Sequence, residues 1–249
     1  MSELNEQFLP IVTFDVDWSP DWIVKEVGDL LLESGVKSTW FVTHPSGIWN
    51  SLRSFPKLFE LGIHPNCLQG STHGATEEDA LSYTKAIVPD AVSMRTHGPY
   101  QTTRLLMAAS QRHGIRFDSS IYIPGEDSPV SFTHTFGNNA LTRVPIYWDD
   151  YSQLCDGKPL WDFKDLPNAK KSPRVFSFHP FHIILNTCDI NVYERLKSEI
   201  PLPEWTPEHL LPYRNEGKGA KTMFIEILRY LKDKESKFVC EIGGTRLAA

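Results

Sequence analysis

Hydrophobic and polar positions fall in short blocks along the chain, switching between a period of two and a period near 3.6. In Val12–Trp18, a strand-like run, Thr13, Asp15 and Asp17 share one face while Val12, Phe14, Val16 and Trp18 share the other. Pro20–Ser34 carries apolar residues at Trp22, Ile23, Val27, Leu30 and Leu31 and closes on Gly35, the pattern of an amphipathic helix with a glycine at its C-terminus. Lys37–Thr43 reads as a strand, Phe55–Leu61 as a short helix, and Ile63-His64 after Gly62 as the next strand. Val92–Arg95 and Ile115–Ile121 are strand-like, flanking a helical pattern over Thr102–Arg112 that stops at His113-Gly114. Leu141–Trp148 and Arg174–His179 follow as strands. A helix over Ala220–Lys234, with Phe224, Ile227, Leu228 and Leu231 on one side, precedes a last strand at Phe238–Ile242.

Seven or eight strands alternating with helices predict an α/β fold, a single domain over residues 1–249 built as a closed or nearly closed (β/α)7-8 barrel. Pro124–Asn139 and Pro201–Gly219 lack periodicity and read as surface loops, the second (201–219) long enough for a lid. Trp205, within it, is a candidate aromatic platform for a sugar ring.

Composition narrows the picture. With 41% hydrophobic and 22% charged residues in 249, the chain can build an ordinary core. A formal charge of −6 without a basic cluster argues against nucleic acid or an anionic membrane surface as partner. No run approaches the roughly 20 apolar residues of a membrane span. The polar, acidic stretch Met1–Pro10 lacks the pattern of a secretion signal, so a cytoplasmic location is expected. Cys67, Cys155, Cys188 and Cys240 are scattered with no CxxC pair, which speaks against a disulfide framework or a thiolate zinc site. Nor is there a GxSxG elbow of a serine hydrolase.

Candidate chemistry gathers at predicted strand ends, where a barrel places its active site. These residues are Asp15 and Asp17, His64, Arg95 and His97 in Arg95-Thr96-His97-Gly98-Pro99-Tyr100, Asp118, and His179. Two acids two residues apart on one strand face need a metal, a proton or a cation to neutralise them. Capping of the helix near Pro20 and Asp21 accounts for one acid and not for both.

In this order the residues resemble the NodB-like polysaccharide deacetylases, carbohydrate esterase family 4. Thr13-Phe14-Asp15-Val16-Asp17 is similar to the family's acidic motif and Glu60-Leu61-Gly62-Ile63-His64 to its histidine motif. Arg95, Asp118 and Ser177-Phe178-His179 match the motifs that follow. The resemblance implies a distorted barrel and metal-assisted removal of an acetyl group from a sugar. An acetylated saccharide is then the expected partner, a precursor of surface polysaccharide or lipopolysaccharide by the expected location. Asp17 and His64 would bind a divalent, zinc-like ion. Asp15, kept charged by Arg95, would be the general base, and His179, oriented by Asp118, the general acid.

The sequence departs from the family at the position four after His64, where a second histidine ligand is replaced by Leu68. His73 is the first choice for the third metal ligand, since Pro65 and Gly70 allow the intervening loop to fold back, with Asn66 and His97 as alternatives. Tyr100 lies five residues after Arg95, where the family has a tyrosine at three. Two rival readings remain open: a metal-dependent amidohydrolase on a non-sugar bond, and a glycan-binding protein on a decayed scaffold.

Overall fold

The computed structural model describes residues 9–125, 127–166 and 172–243. The polar stretch 1–8 lies outside them. In chain order the elements are β1 (Pro10–Asp15), α1 (Asp21–Ser34), β2 (Ser38–Val42), α2 (Ile48–Arg53), β3 (Phe59–Ile63), α3 (Glu77–Ile87), β4 (Ser93–Met94), α4 (Thr103–Arg112) and β5 (Phe117–Asp118). There follow β6 (Phe132–Phe136), β7 (Asn139–Arg143), β8 (Ile146–Asp149), α5 (Asp150–Cys155), β9 (Arg174–Phe178), α6 (Pro180–Leu185), α7 (Ile190–Glu199), α8 (Pro207–Leu210) and α9 (Ala220–Leu231).

The nine strands form one sheet in the order β6-β7-β5-β4-β3-β2-β1-β9-β8, parallel except for the β6–β7 hairpin. The sheet curls until its ends meet. Ile146 N of β8 donates to Ile121 O at 2.8 Å and Ile123 N donates to Ile146 O at 3.0 Å, joining β8 to the segment that continues β5. The barrel expected from the strand–helix rhythm is therefore present, with the β6–β7 hairpin attached outside the ring.

Alternation along the strands sorts the interior from the helix layer. On β1, Val12 and Phe14 turn outward, and the Phe14 ring stacks on Trp40 at 4.2 Å and meets Phe178 and Phe224. The opposite face carries Ile11, Thr13 and Asp15. Ile11 joins Phe41, Val144, Ile146, Val175, Val239 and Ile242 in a small apolar cluster at the barrel floor. Gly62 lets this interior close: a Cβ there would lie 2.7 Å from Ser93 Oγ and 2.8 Å from the Phe41 ring.

Differences from the sequence reading have local causes. Phe55–Leu61 is the end of a turn followed by β3, because Phe59 and Leu61 alternate on a strand paired with β2. Phe238–Ile242 is not a strand. A 3-10 turn at Val239–Glu241 plugs the barrel floor, where Val239 N donates to Thr39 Oγ1 and Cys240 N to Glu60 Oε2. The loop read at 124–139 contains β6, and Leu141–Trp148 divides into β7 and β8. Helices α3 and α7 fall where the sequence reading left no element. α3 is opened by a capping box between Thr76 and Asp79.

Segment 201–219 holds short helical turns at Leu202–Glu204, Pro207–Leu210 and Leu211–Tyr213. Within it Trp205 is 1% exposed, its Nε1 donating to Ile200 O. It is a core residue and not a sugar platform: the apolar ring is covered by Phe181 and Tyr193.

Candidate active site

The C-terminal ends of β1, β3, β4 and β9 bring Asp15, His64, Arg95 and His179 to the same mouth of the barrel. Arg95, fully buried, extends across the interior. Its Nη1 donates to Asp15 Oδ1 at 2.8 Å and to Ser177 Oγ at 3.0 Å, and its Nε and Nη2 donate to Ser119 O and Oγ. The guanidinium lies 4.5 Å from the centre of the Phe41 ring, the space that Gly62 leaves open.

Asp17 reaches the site by a route that the strand period does not describe. β1 ends at Asp15, and Asp17 and Trp18 take left-handed backbone angles, φ 44° and 58°. Such residues cost on the order of 1–3 kcal/mol each and concentrate where geometry serves a site. The turn swings the Asp17 carboxylate across the mouth. Its Oδ1 lies 2.9 Å from His97 Nδ1 and 3.1 Å from His64 Nε2, and its Oδ2 lies 3.4 Å from His179 Nε2. Burial would raise the Asp17 carboxyl, but contacts with His179, His64 and His97 outweigh it and hold the group well below the carboxylate range. His97 shifts upward: burial pulls it down, and Asp17 more than compensates.

Asp17, His64 and His97 thus converge, each offering a donor atom within 4.8 Å of the others. His64, whose side chain is 1% exposed, meets Asp17 through Nε2 and leaves Nδ1 without a hydrogen-bond partner. A buried imidazole with so few hydrogen bonds, converging with a carboxylate and a second imidazole, fits a divalent ion of the zinc class.

His73 lies beside this group and outside it. It is buried, its Nδ1 accepts from Asn66 N at 2.9 Å, and its ring stacks on Tyr83 at 4.6 Å. Burial, then the neighbouring His64, push it down to about 4. Asn66 Oδ1 accepts from Leu68 N within its own loop. Leu68 itself is 45% exposed. Of the three candidates for a third ligand, the fold brings His97 to Asp17 and His64. The signal available in the sequence was its position two residues after Arg95, on the turn at the end of β4. Tyr100 N is occupied in that turn, donating to His97 O.

His179 caps the start of α6, and its partner is Asp150. Asp150 Oδ1 lies 2.7 Å from His179 Nδ1, and Oδ2 accepts from His179 N at 2.7 Å. The expectation that Asp118 orients His179 gives way here. Asp118 is spent on Arg143 and Ser120, whereas Asp150, the first residue of α5, is carried to His179 by the pairing of β8 with β9. Sequence reading missed Asp150, which sits inside a Trp-Asp-Asp-Tyr run with no spacing rule to single it out. His179 is raised well above the imidazole range: burial opposes its charge, and Asp150 and Asp17 overcome that. Burial pushes the Asp150 carboxyl up to about 6, against the pull of His179. His182, the other histidine near Asp150, is fully buried, with Nδ1 on Thr187 Oγ1.

A cavity of about 390 Å³ opens above these groups, with Asp15, Asp17, His64, His97 and His179 in its wall. Tyr122, Tyr151, Phe181 and Tyr193 supply aromatic surface around it. This is the size and lining of a small-molecule site. Burial, then Glu77, push the Cys67 thiol up to about 11, which disfavours the thiolate that a nucleophile needs. Among the described residues, no helix is long and apolar enough to cross a membrane.

The family model for WbmS-like polysaccharide deacetylases matches residues 12–197. Among solved structures, a protein of Bordetella bronchiseptica assigned as a polysaccharide deacetylase involved in O-antigen biosynthesis is 30% identical. The match covers 89% of this chain and 90% of that one, with a TM-score of 0.76. The 4-alpha-glucanotransferase of Thermococcus litoralis is 12% identical over 96% of this chain and 39% of that one, with a TM-score of 0.51, a likeness of fold alone. No curated protein matches the chain.

Proposed function

Because the chain belongs to the WbmS-like polysaccharide deacetylases, hydrolases of carbon–nitrogen bonds other than peptide bonds, we propose that it removes the acetyl group from an acetylated amino sugar destined for a surface polysaccharide. The supporting observation is the convergence of Asp17, His64 and His97 between the Arg95–Asp15 pair and the Asp150–His179 pair. The reading of the sugar as a precursor draws on the O-antigen role given for the Bordetella protein.

Asp17, His64 and His97 would hold a divalent ion. When bound, it supplies Lewis-acid polarisation of the acyl oxygen and acidifies water at its open position. The remaining steps belong to side chains. Arg95 engages Asp15 through Oδ1, so Oδ2 is the atom left to take a proton from the attacking water. His179 is fixed at Nδ1 by Asp150, which leaves protonated Nε2 to donate to the departing amine nitrogen. Burial works against its charge, and Asp150 and then Asp17 outweigh that, which favours the protonated form. The aromatic side chains of the cavity suit the faces of a sugar ring and exclude bulk water from the reacting amide.

The test is acetate release from N-acetylated amino sugars by the zinc-loaded protein, together with its Asp15→Asn variant. The expected outcome is release by the wild type and a loss of about 10²–10⁴-fold in the variant, the range of a general base. Equal rates in the two proteins would remove Asp15 from the reaction.

A further inference from the structure

The cavity wall carries one cationic side chain that the proposed reaction does not use. Lys197 of α7 lines it, and among the described residues no other lysine or arginine does. Its ammonium lies 5.2 Å from the centre of the Tyr193 ring, one helical turn earlier. Tyr193 is itself fixed: it is 5% exposed, stacks on Phe181 at 5.3 Å with a 6° interplanar angle, and meets His182 and Trp205 edge-on. The ammonium of this exposed lysine thus stands over a fixed ring at the rim of the cavity.

The acids of the cavity are already engaged. Asp15 pairs with Arg95, Asp17 with the histidines, and Asp149 caps α5 by accepting from Ser152 N and Oγ. Lys197 has no ion-pair partner within 4 Å among the described residues. Lys197 is exposed at the rim of this cavity, so in a chain of net charge −6 its ammonium is open to a counter-charge carried by the ligand.

We propose that Lys197, supported by Tyr193, binds an anionic substituent of the substrate, so that the acetylated sugar is a sugar phosphate or a uronic acid. The proposal rests on the deacetylase reading for the class of ligand and is tested without turnover.

The experiment is calorimetric titration of zinc-loaded Asp15→Asn protein with N-acetylglucosamine 1-phosphate, N-acetylgalactosaminuronic acid and the neutral methyl glycoside of N-acetylglucosamine. The expected result is that one anionic sugar binds about tenfold more tightly than the neutral one, as for a hydrogen bond to a charged group. Lys197→Met abolishes that preference without moving the affinity for the neutral sugar, and Lys197→Arg retains it. The sugar that carries the preference identifies phosphate or carboxylate. If neither anionic sugar outbinds the neutral one, or if the preference survives Lys197→Met, the proposal is overturned. Acetate release by protein with Asp15 intact, scored separately, bears on the deacetylase reading alone.

Discussion

Arg143 Nε donates to Asp118 Oδ2 at 2.6 Å with both side chains buried, and this pair anchors the turn that presents His97. Asp118 Oδ1 accepts from Ser120 Oγ, which in turn accepts from Thr96 N, the residue before His97. Arg143 Nη2 donates to Gln101 Oε1 on the far side of the same turn. Arg143→Met is expected to cost about 3–5 kcal/mol, because it leaves a buried carboxylate unpaired. It is also expected to weaken zinc binding by about 10–100-fold, the usual effect of losing support behind a ligand. Urea denaturation and competition with a chromophoric chelator measure the two effects. Unchanged zinc affinity in a folded variant would detach the anchor from the metal group.

The barrel was legible in the sequence because its strands are short apolar runs closed by glycine or polar turns, as at Lys37–Thr43 and Arg174–His179. Asp15, His64, Arg95 and His179 were legible for the same reason: each stands at the C-terminal end of such a run. Asp17 was placed in the site by a pleat argument that does not describe it, since its position depends on a left-handed turn after β1. Asp150 and the contact of His97 with Asp17 were not legible. Both depend on strand ends far apart in the chain meeting at one mouth, which no local period records.

A metal that binds only the folded protein raises the unfolding temperature. Zinc is expected to raise it in the wild type and in His73→Ala, and to leave it nearly unmoved in His64→Ala and His97→Ala. Differential scanning calorimetry with and without zinc checks this. A shift lost in His73→Ala and kept in His97→Ala would exchange their roles.

The pH profile follows from the Asp150–His179 contact. His179 is raised by Asp150 and Asp17, so it keeps its proton through neutrality and loses it only on the alkaline side. Asp150→Asn removes a carboxylate, which lowers the imidazole affinity for protons and moves the alkaline limb of kcat/KM toward lower pH. By linkage, the stability that His179 gains from its partners is complete below its ordinary value of 6.5 and fades as pH rises through the raised one. The stability difference between wild type and Asp150→Asn should shrink accordingly. A limb that stays in place would show that another group supplies the proton.

Gly62→Ala tests the interior packing. The added methyl would meet Ser93 Oγ and the Phe41 ring inside 3 Å, so a loss of about 1–3 kcal/mol is expected, as in other overpacked cores. Because Phe41 lies against Arg95, acetate release should fall along with stability. A variant as stable as the wild type in chemical denaturation would show that the Phe41 ring yields at little cost.

The plug at the barrel floor has a consequence for how the site comes into being. Glu60 accepts from Thr39 Oγ1, Ser93 Oγ and Cys240 N, tying the bases of β2, β3 and β4 to a residue 180 positions further along the chain than Glu60. The wall that holds His64 and Arg95 is therefore synthesised early and underpinned late. During translation, which delivers the N-terminal strands first, those strands can pair, but the mouth acquires its rigid floor only after Val239 and Cys240 emerge. The site is then expected to become competent only once this late turn has closed the floor beneath strands made long before it.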